Sequence, residues 1–390
     1  MSKQNNKYSY REILFLSIIF SLLGLLIGII GTKQYETKFG SSSSVHEFLR
    51  VYDDIKNHSY YPVDKDKMIE AGIAGMINYL NDDYADFLSK DIALEFNQKL
   101  DGKFVGLGIT VKFEDDGTLS IVDINKNSPA EKAHLLVNDI IFKINDKETK
   151  NMTYEDILNY MRGKKGTSGN LTVKRNNQIL DIKFVRDLIE IKSVKAKRYD
   201  DIAYLKIDIF AKNTANQFKD ELEKLEKEKV KKVIIDVRNN NGGHLEVAEK
   251  MSRMLLNKGD IIYGLKEGKK KTTVKAEKDS PYNFDIVIIG DKTSASGAEL
   301  LIGALIKNKK AYFIGSSTYG KGTVQRSYNL KNGSTIKYTI EEWLIPDGTS
   351  INKKGIKPDK EVKQDRKYYD TGLDSDDKLL QEAIKILKNK

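Results

Sequence analysis

Two serines, a lysine and a glutamine in the stretch DKTSASGAELLIGALIKNKKAYFIGSSTYGKGTVQ, residues 291–325, have the types and spacing of a nucleophile and its base. Ser294 and Ser296 open an apolar helical run. Lys321 follows the next strand-like run between Gly320 and Gly322, with Gln325 four residues on. A serine at a helix amino terminus faces free N–H groups and the positive end of the dipole, which stabilise the oxyanion formed when its hydroxyl attacks a carbonyl. A lysine accepts the hydroxyl proton only when burial leaves its amine neutral, and Gln325 could hold that amine without adding charge. Each residue also has a plain structural reading. Ser296-Gly-Ala-Glu299 is a capping box, and Lys321 between two glycines is a turn residue.

The same part of the chain offers rival chemistries. His244 follows the glycine loop Asn239-Asn240-Asn241-Gly242-Gly243 and is a second candidate base, which an aspartate would complete into a triad; it also reads as the start of a helix or a pocket lining. Gly315 to Lys321 matches the phosphate-loop pattern G-x-x-x-x-G-K. However, Gly322 stands where Ser or Thr should hold magnesium, and TVQRSYNL reads as a strand where a helix should follow. The chain has no cysteine and four scattered histidines, so disulfides and thiol catalysis are excluded; no metal and no cofactor are expected. The net charge of +10 comes from 66 basic and 56 acidic residues together. Lys-rich runs such as Lys269–Lys271 lack interleaved aromatics, and no nucleic-acid partner is expected.

The elements that must position these groups divide the chain. Residues 1–12 are polar and basic, and residues 13–32 carry no charge, enough at helical rise to span a bilayer. The basic flank predicts an uncleaved single-pass anchor in the cell membrane, amino terminus inside and the rest extracytoplasmic. Residues 33–44 read as a flexible tether, and 45–102 as helices with apolar residues at helical spacing, suited to packing on a second copy in a homodimer. Residues 103–187 switch to strand periodicity. Residues 188–370 alternate strand and helix, which predicts an α/β core with a largely buried sheet, and 371–390 close the chain with an amphipathic helix, likewise suited to packing on the second copy. The DVRNNNGG block falls where a strand meets a helix, the usual place for a ligand loop in such sheets.

The strand-rich segment resembles a bacterial-type PDZ domain, an α+β insert. Phe104-Val105-Gly106-Leu107-Gly108-Ile109 looks like its carboxylate-binding loop, Ser128-Pro129-Ala130 opens its first helix, and TYEDILNYMRG, with Ile157 and Met161, its groove-lining helix. Seven blocks in order, AGIAGMINYLNDDYADFL, FVGLGI, SPAEKA, DVRNNNGG, SASGAELLIGAL, YGKGTVQ and PDGTSINKKGIKPD, resemble the carboxy-terminal processing peptidases, or tail-specific proteases. The resemblance implies a crotonase-like core and a Ser–Lys serine endopeptidase, with Ser296 as nucleophile, Lys321 as base and Gln325 in support. It puts the oxyanion hole at backbone amides of Gly242 or Gly243 and Gly297. It further implies protein or peptide substrates cut near a free carboxy terminus, which the PDZ domain senses while gating the site, with Arg162 as the matching signalling residue. Asn241 and Gly297 stand where many relatives carry proline and alanine, and both leave the backbone donors in place. The alternative is a non-catalytic PDZ adaptor on a degenerate protease core.

Overall fold

The computed structural model describes residues 9–39, 43–114 and 116–390. Residues 1–8 of the expected cytoplasmic tail and 40–42 of the expected tether lie outside them. Residues 1–76 and 77–390 form two compact units.

The first unit is helical: α1 (Tyr10–Phe39), α2 (Ser43–His58) and α3 (Lys65–Tyr79), whose last residues belong to the second unit. From Tyr10 to Lys33 the first helix is long and apolar enough to cross a membrane. Its large apolar side chains from Ile13 to Ile30 are all exposed. The helix continues to Phe39, so the expected tether begins as helix rather than coil.

The second unit starts with β1 (Asp86–Leu88) and α4 (Lys90–Asp101), which ends at the left-handed Gly102. A ribbon of β2 (Lys103–Gly106) leads into β3 (Ile109–Phe113), β4 (Leu119–Ile124), α5 (Pro129–Lys132), β5 (Ile140–Ile144), β6 (Lys147–Glu148), α6 (Tyr154–Met161), β7 (Ser168–Arg175) and β8 (Gln178–Val185). These strands form one sheet in the order β3-β4-β5-β7-β8, leaving β3 as a free edge beside the Leu107-Gly108 turn. Local sequence sets both helix starts. Ser128 caps α5 ahead of Pro129, and Thr153 makes a reciprocal box with Asp156 at α6. Ile157 and Met161 point into this domain's core with Leu107, Ile121 and Ile141, which corrects their expected place lining an open groove. The apolar stripe of α6 is spent on its own sheet. The chain returns through β9 (Asp187–Glu190), paired with β2.

The core follows as β10 (Val194–Tyr199), β11 (Ile202–Ile207), α7 (Thr214–Lys227), β12 (Lys232–Asp236), α8 (Leu245–Leu255), β13 (Ile261–Glu267), β14 (Lys270–Lys275), β15 (Asp285–Gly290), α9 (Gly297–Lys307), β16 (Ala311–Gly315), β17 (Thr323–Asn329), β18 (Thr335–Leu344), β19 (Lys360–Glu361), α10 (Arg366–Thr371) and α11 (Lys378–Lys388). One sheet runs β10-β11-β12-β15-β16-β19 and is parallel from β11 onward. Both faces are covered, which is why its strands read as unbroken apolar runs. Val233 and Ile235 pack toward Phe218, Met251 and Leu301 of α7, α8 and α9, while Ile234 between them meets Leu379, Leu380 and Ala383 of α11. The apolar face of α11 is therefore taken up within the chain, against the expectation that this helix pairs with a second copy. A second sheet joins β1, β18, β13 and β14, with β17 also on β18. The β13–β14 hairpin is an element the sequence reading passed over.

Candidate active site

At the carboxyl end of β15, Asp291 accepts the N–H groups of Thr293 and Ser294 at 2.9 and 3.1 Å. Ser294 is buried; its hydroxyl donates to the Val237 carbonyl and accepts from Asp291 N–H. Of the two serines, Ser294 is thus fully employed in joining β15 to the loop after β12. Ser296 is different. It sits at φ 54°, ψ −114° at the amino end of α9, a strained conformation for a residue with a side chain. Glu299 forms a capping box with it, yet among the described residues its hydroxyl donates to no acceptor. Strain of this kind persists only where surroundings over-determine it, and here it frees the hydroxyl.

The restraint is Glu299. Fully buried, its carboxylate accepts from Ser296 N–H (2.9 Å), Gly320 N–H (2.7 Å), Lys321 N–H (2.9 Å) and the Thr318 hydroxyl (2.5 Å). Burial drives its pKa up, and the four donors pull the other way. The sequence reading saw only the capping half. The same carboxylate clamps the loop that carries Lys321 onto the first turn of α9. On the other side of that loop, Trp343 donates its indole N–H to the Lys321 carbonyl at 3.0 Å.

Lys321 is mostly buried, and among the described residues its Nζ makes no hydrogen bond or ion pair. It lies 5.0 Å from the centroid of the Tyr84 ring. Its pKa is lowered chiefly by burial and then by the nearby Lys337 cation; Asp82 and Glu299 oppose. Gln325 does not hold it: the Gln325 amide donates to the Thr323 and Thr339 hydroxyls at 2.7 and 3.3 Å. Ser296, Lys321 and Gln325 nevertheless line one cavity of about 770 Å³, with Gly242, Gly243 and His244 opposite.

The glycine loop is built for close approach. Gly242 has φ +95°, and a Cβ there would stand 2.7 Å from the Ala295 carbonyl and 2.8 Å from Ser296 Cβ. Its N–H is given to the Asn240 side chain at 2.8 Å, so Gly242 is no free oxyanion donor, a correction to the sequence expectation. Among the described residues the N–H groups of Gly243 and Gly297 donate to no carbonyl. Arg238, at the start of the loop, is held by buried Asp236 and Asp377, which bind its guanidinium at 2.5 to 3.0 Å. For Asp236, burial alone would raise the pKa; the Arg238 and Lys206 cations outweigh it and hold the carboxyl below its ordinary value. Among the described residues the His244 ring makes no hydrogen bond, its buried Nε2 included, so no carboxylate completes a triad there. The run Gly315 to Lys321 leads into strand β17, which removes the phosphate-loop reading.

In the PDZ domain, Val105 and Gly106 pair with β9, Leu107 is buried, and Gly108 takes φ +84° against Ser128. Among the described residues the N–H groups of Leu107 and Gly108 donate to no carbonyl, and Ile109 opens the free edge strand. Arg162, just past α6, pairs with Glu95 of α4 at 3.0 Å. The next residue of α4, Phe96, borders the cavity with its ring 5.5 Å from Lys337 Nζ. Tyr84, Asp82 and Glu299 are the site residues that sequence reasoning missed; the first two lie inside the NDDYADFL block, a signal quoted for family likeness alone.

A parallel core with a serine at a strained helix start, a buried lysine and a PDZ domain defines a serine peptidase, and comparison with known proteins agrees. The profile of peptidase family S41 matches residues 201–362 and that of the PDZ domain residues 120–175. A protein of Staphylococcus aureus (strain COL) named “Probable CtpA-like serine protease” is 34% identical over 90% of this chain and 72% of its own length. One of the same name from Staphylococcus saprophyticus is 32% identical over 90% and 72%. A solved structure from Bacteroides fragilis NCTC 9343, described as an S41 protease, shares the fold with a TM-score of 0.55 at 16% identity, over 87% of this chain and 97% of that one. The chain belongs to peptidase family S41, among the CtpA-like carboxy-terminal processing proteases. It is a serine-type peptidase acting on protein or peptide substrates, and the adaptor alternative is set aside.

Proposed function

We propose that the chain is a membrane-anchored, extracytoplasmic endopeptidase that cuts proteins near their carboxy termini with a Ser296–Lys321 dyad on a crotonase-like core. The observation that carries this reading is the opening onto one cavity of a strained Ser296 and a mostly buried Lys321, neither of which donates a side-chain hydrogen bond among the described residues. Neutral Lys321 takes the Ser296 hydroxyl proton as Oγ attacks the scissile carbonyl. The resulting oxyanion is received by the N–H groups of Gly243 and Gly297. The Lys321 ammonium then protonates the departing amine, and water, activated by the same amine, hydrolyses the ester and returns both groups to their starting state. Gln325 supports the base from the cavity wall once substrate is bound.

The PDZ domain takes the substrate's carboxylate at the free Leu107 and Gly108 amides and its strand on the edge of β3. Arg162 passes that occupancy through Glu95 and α4 to the cavity. The apolar helix at Tyr10–Lys33 anchors the chain, and α2 offers Phe48, Leu49 and Ile55, all exposed, to a second copy. Degradation of an unstructured protein such as casein by the full chain tests the dyad. Ser296→Ala and Lys321→Ala should each lower the rate by at least about a thousandfold; a wild-type rate in either would end the proposal.

A further inference from the structure

The turn between α3 and β1 is tied to the elements that carry Lys321 at three places. Asp82 Oδ2 accepts Thr339 N–H of β18 at 2.9 Å, and Oδ1 closes its own turn on Tyr84 N–H at 3.0 Å. Asp83 pairs with Lys353 at 2.8 Å, and Lys353 N–H in turn donates to the Gly320 carbonyl at 2.8 Å, one residue before Lys321. Directly after the turn, Asp86 to Leu88 pair with Lys337 to Thr335 of β18. The outcome is that the Tyr84 ring lies over the Lys321 amine at 5.0 Å, with no other partner for that amine among the described residues.

The hydrogen bonds closest to Lys321 fix its backbone. Glu299 holds the Lys321 N–H and Trp343 holds its carbonyl, so both set where the residue begins. Neither touches Nζ, and Gln325 is turned to threonines. A four-carbon stem with three rotatable donors does not keep one position without a contact at its tip. An aromatic face supplies one: its apolar surface shields the amine from water, which disfavours the ammonium.

We propose that Tyr84 is a positioning residue for the S41 reaction of this chain, its ring holding the Lys321 amine in a water-poor place facing the cavity. The inference rests on the reading of Lys321 as the base. The groups facing the amine are Lys337 from β18, Asp82 from the turn and Glu299 from α9. Tyr319, Asp83 and Lys353 surround the ring itself. The ring face does the work and the hydroxyl does not.

The test is the pH dependence of kcat/KM for casein cleavage by the full chain. Tyr84→Phe keeps the ring and should reproduce the wild-type acid limb within about twofold at every pH. Tyr84→Ala admits water and should move the limb to higher pH by about one unit. On the acid side of the limb the loss is then about tenfold, and it is recovered as pH rises, since one unit of pKa is a tenfold change in neutral amine. A structural role would lower the rate equally at all pH values, and that result, or an unmoved limb, overturns the proposal. Should Tyr84→Ala fail to fold by circular dichroism, Tyr84→Gln replaces the ring with a hydrated amide of similar reach and is read by the same limb. Lys321→Ala runs beside them: wild-type activity there would sink the base assignment, whereas an inactive Lys321→Ala with an unmoved Tyr84→Ala limb sinks only the role of Tyr84.

Discussion

A cation held away from water without an anionic partner costs the fold stability, and Lys321 is placed to incur that cost. Its folded pKa is depressed by burial and by Lys337, so below that value the folded chain must keep a poorly solvated ammonium. Between the folded value and the unfolded one near 10.5 the unfolded state binds more protons, so the contribution to stability rises with pH across that window. Lys321→Met should therefore melt higher than the wild type at pH 7, with the gain shrinking toward pH 10.5. Thermal denaturation at both pH values checks this, and an equal gain at each would remove the buried cation as the cause. Sequence reasoning reached Ser296 and Lys321 because each sits in a local pattern, a capping box or a glycine turn. It missed Tyr84 because the contact joins residues from opposite ends of the chain, and no local spacing reports such a neighbour.

At the level of elements, the PDZ sheet ends in an unpaired β3 next to amides that donate to no carbonyl, which is the geometry of strand addition with a carboxylate stop. A peptide with a free carboxy terminus should accelerate or undergo cleavage several-fold more readily than its amidated twin. Equal kcat/KM for the two would remove carboxylate sensing, leaving the dyad untouched. The Arg162–Glu95 pair is partly exposed and worth little energy by itself. Under the proposed gating it is therefore readily exchanged for an incoming anion. Helical periodicity announced α6 correctly, yet it gives one apolar stripe without saying whether a ligand or a sheet will meet it. Ile157 and Met161 met the sheet. The β13–β14 hairpin escaped notice because its Lys-rich turn reads as solvated surface, and its pairing with β18 is visible only in three dimensions.

For the molecule as a whole, the two amphipathic segments left open by the sequence part company. The α11 stripe is consumed on the parallel sheet, where Asp377 at its start also pairs with Arg238. The α2 face stays exposed at Phe48, Leu49, Val51 and Ile55. A dimer should therefore persist in detergent for the full chain and be lost in a Phe48→Glu, Ile55→Glu variant, as read by light scattering corrected for bound detergent; a wild-type monomer would sink it. The layered α/β order was legible because a sheet covered on both faces writes unbroken apolar strands, whereas which surface remains uncovered depends on packing that no run of residues encodes. Trp343 is the chain's one tryptophan, fully buried where the second sheet meets the loop after β16, its indole N–H bound to the Lys321 carbonyl. Ultraviolet emission excited at the indole therefore comes from a single place, and its wavelength follows the backbone beneath the base. Ligand-driven movement there is readable in unlabelled protein, as a colour change.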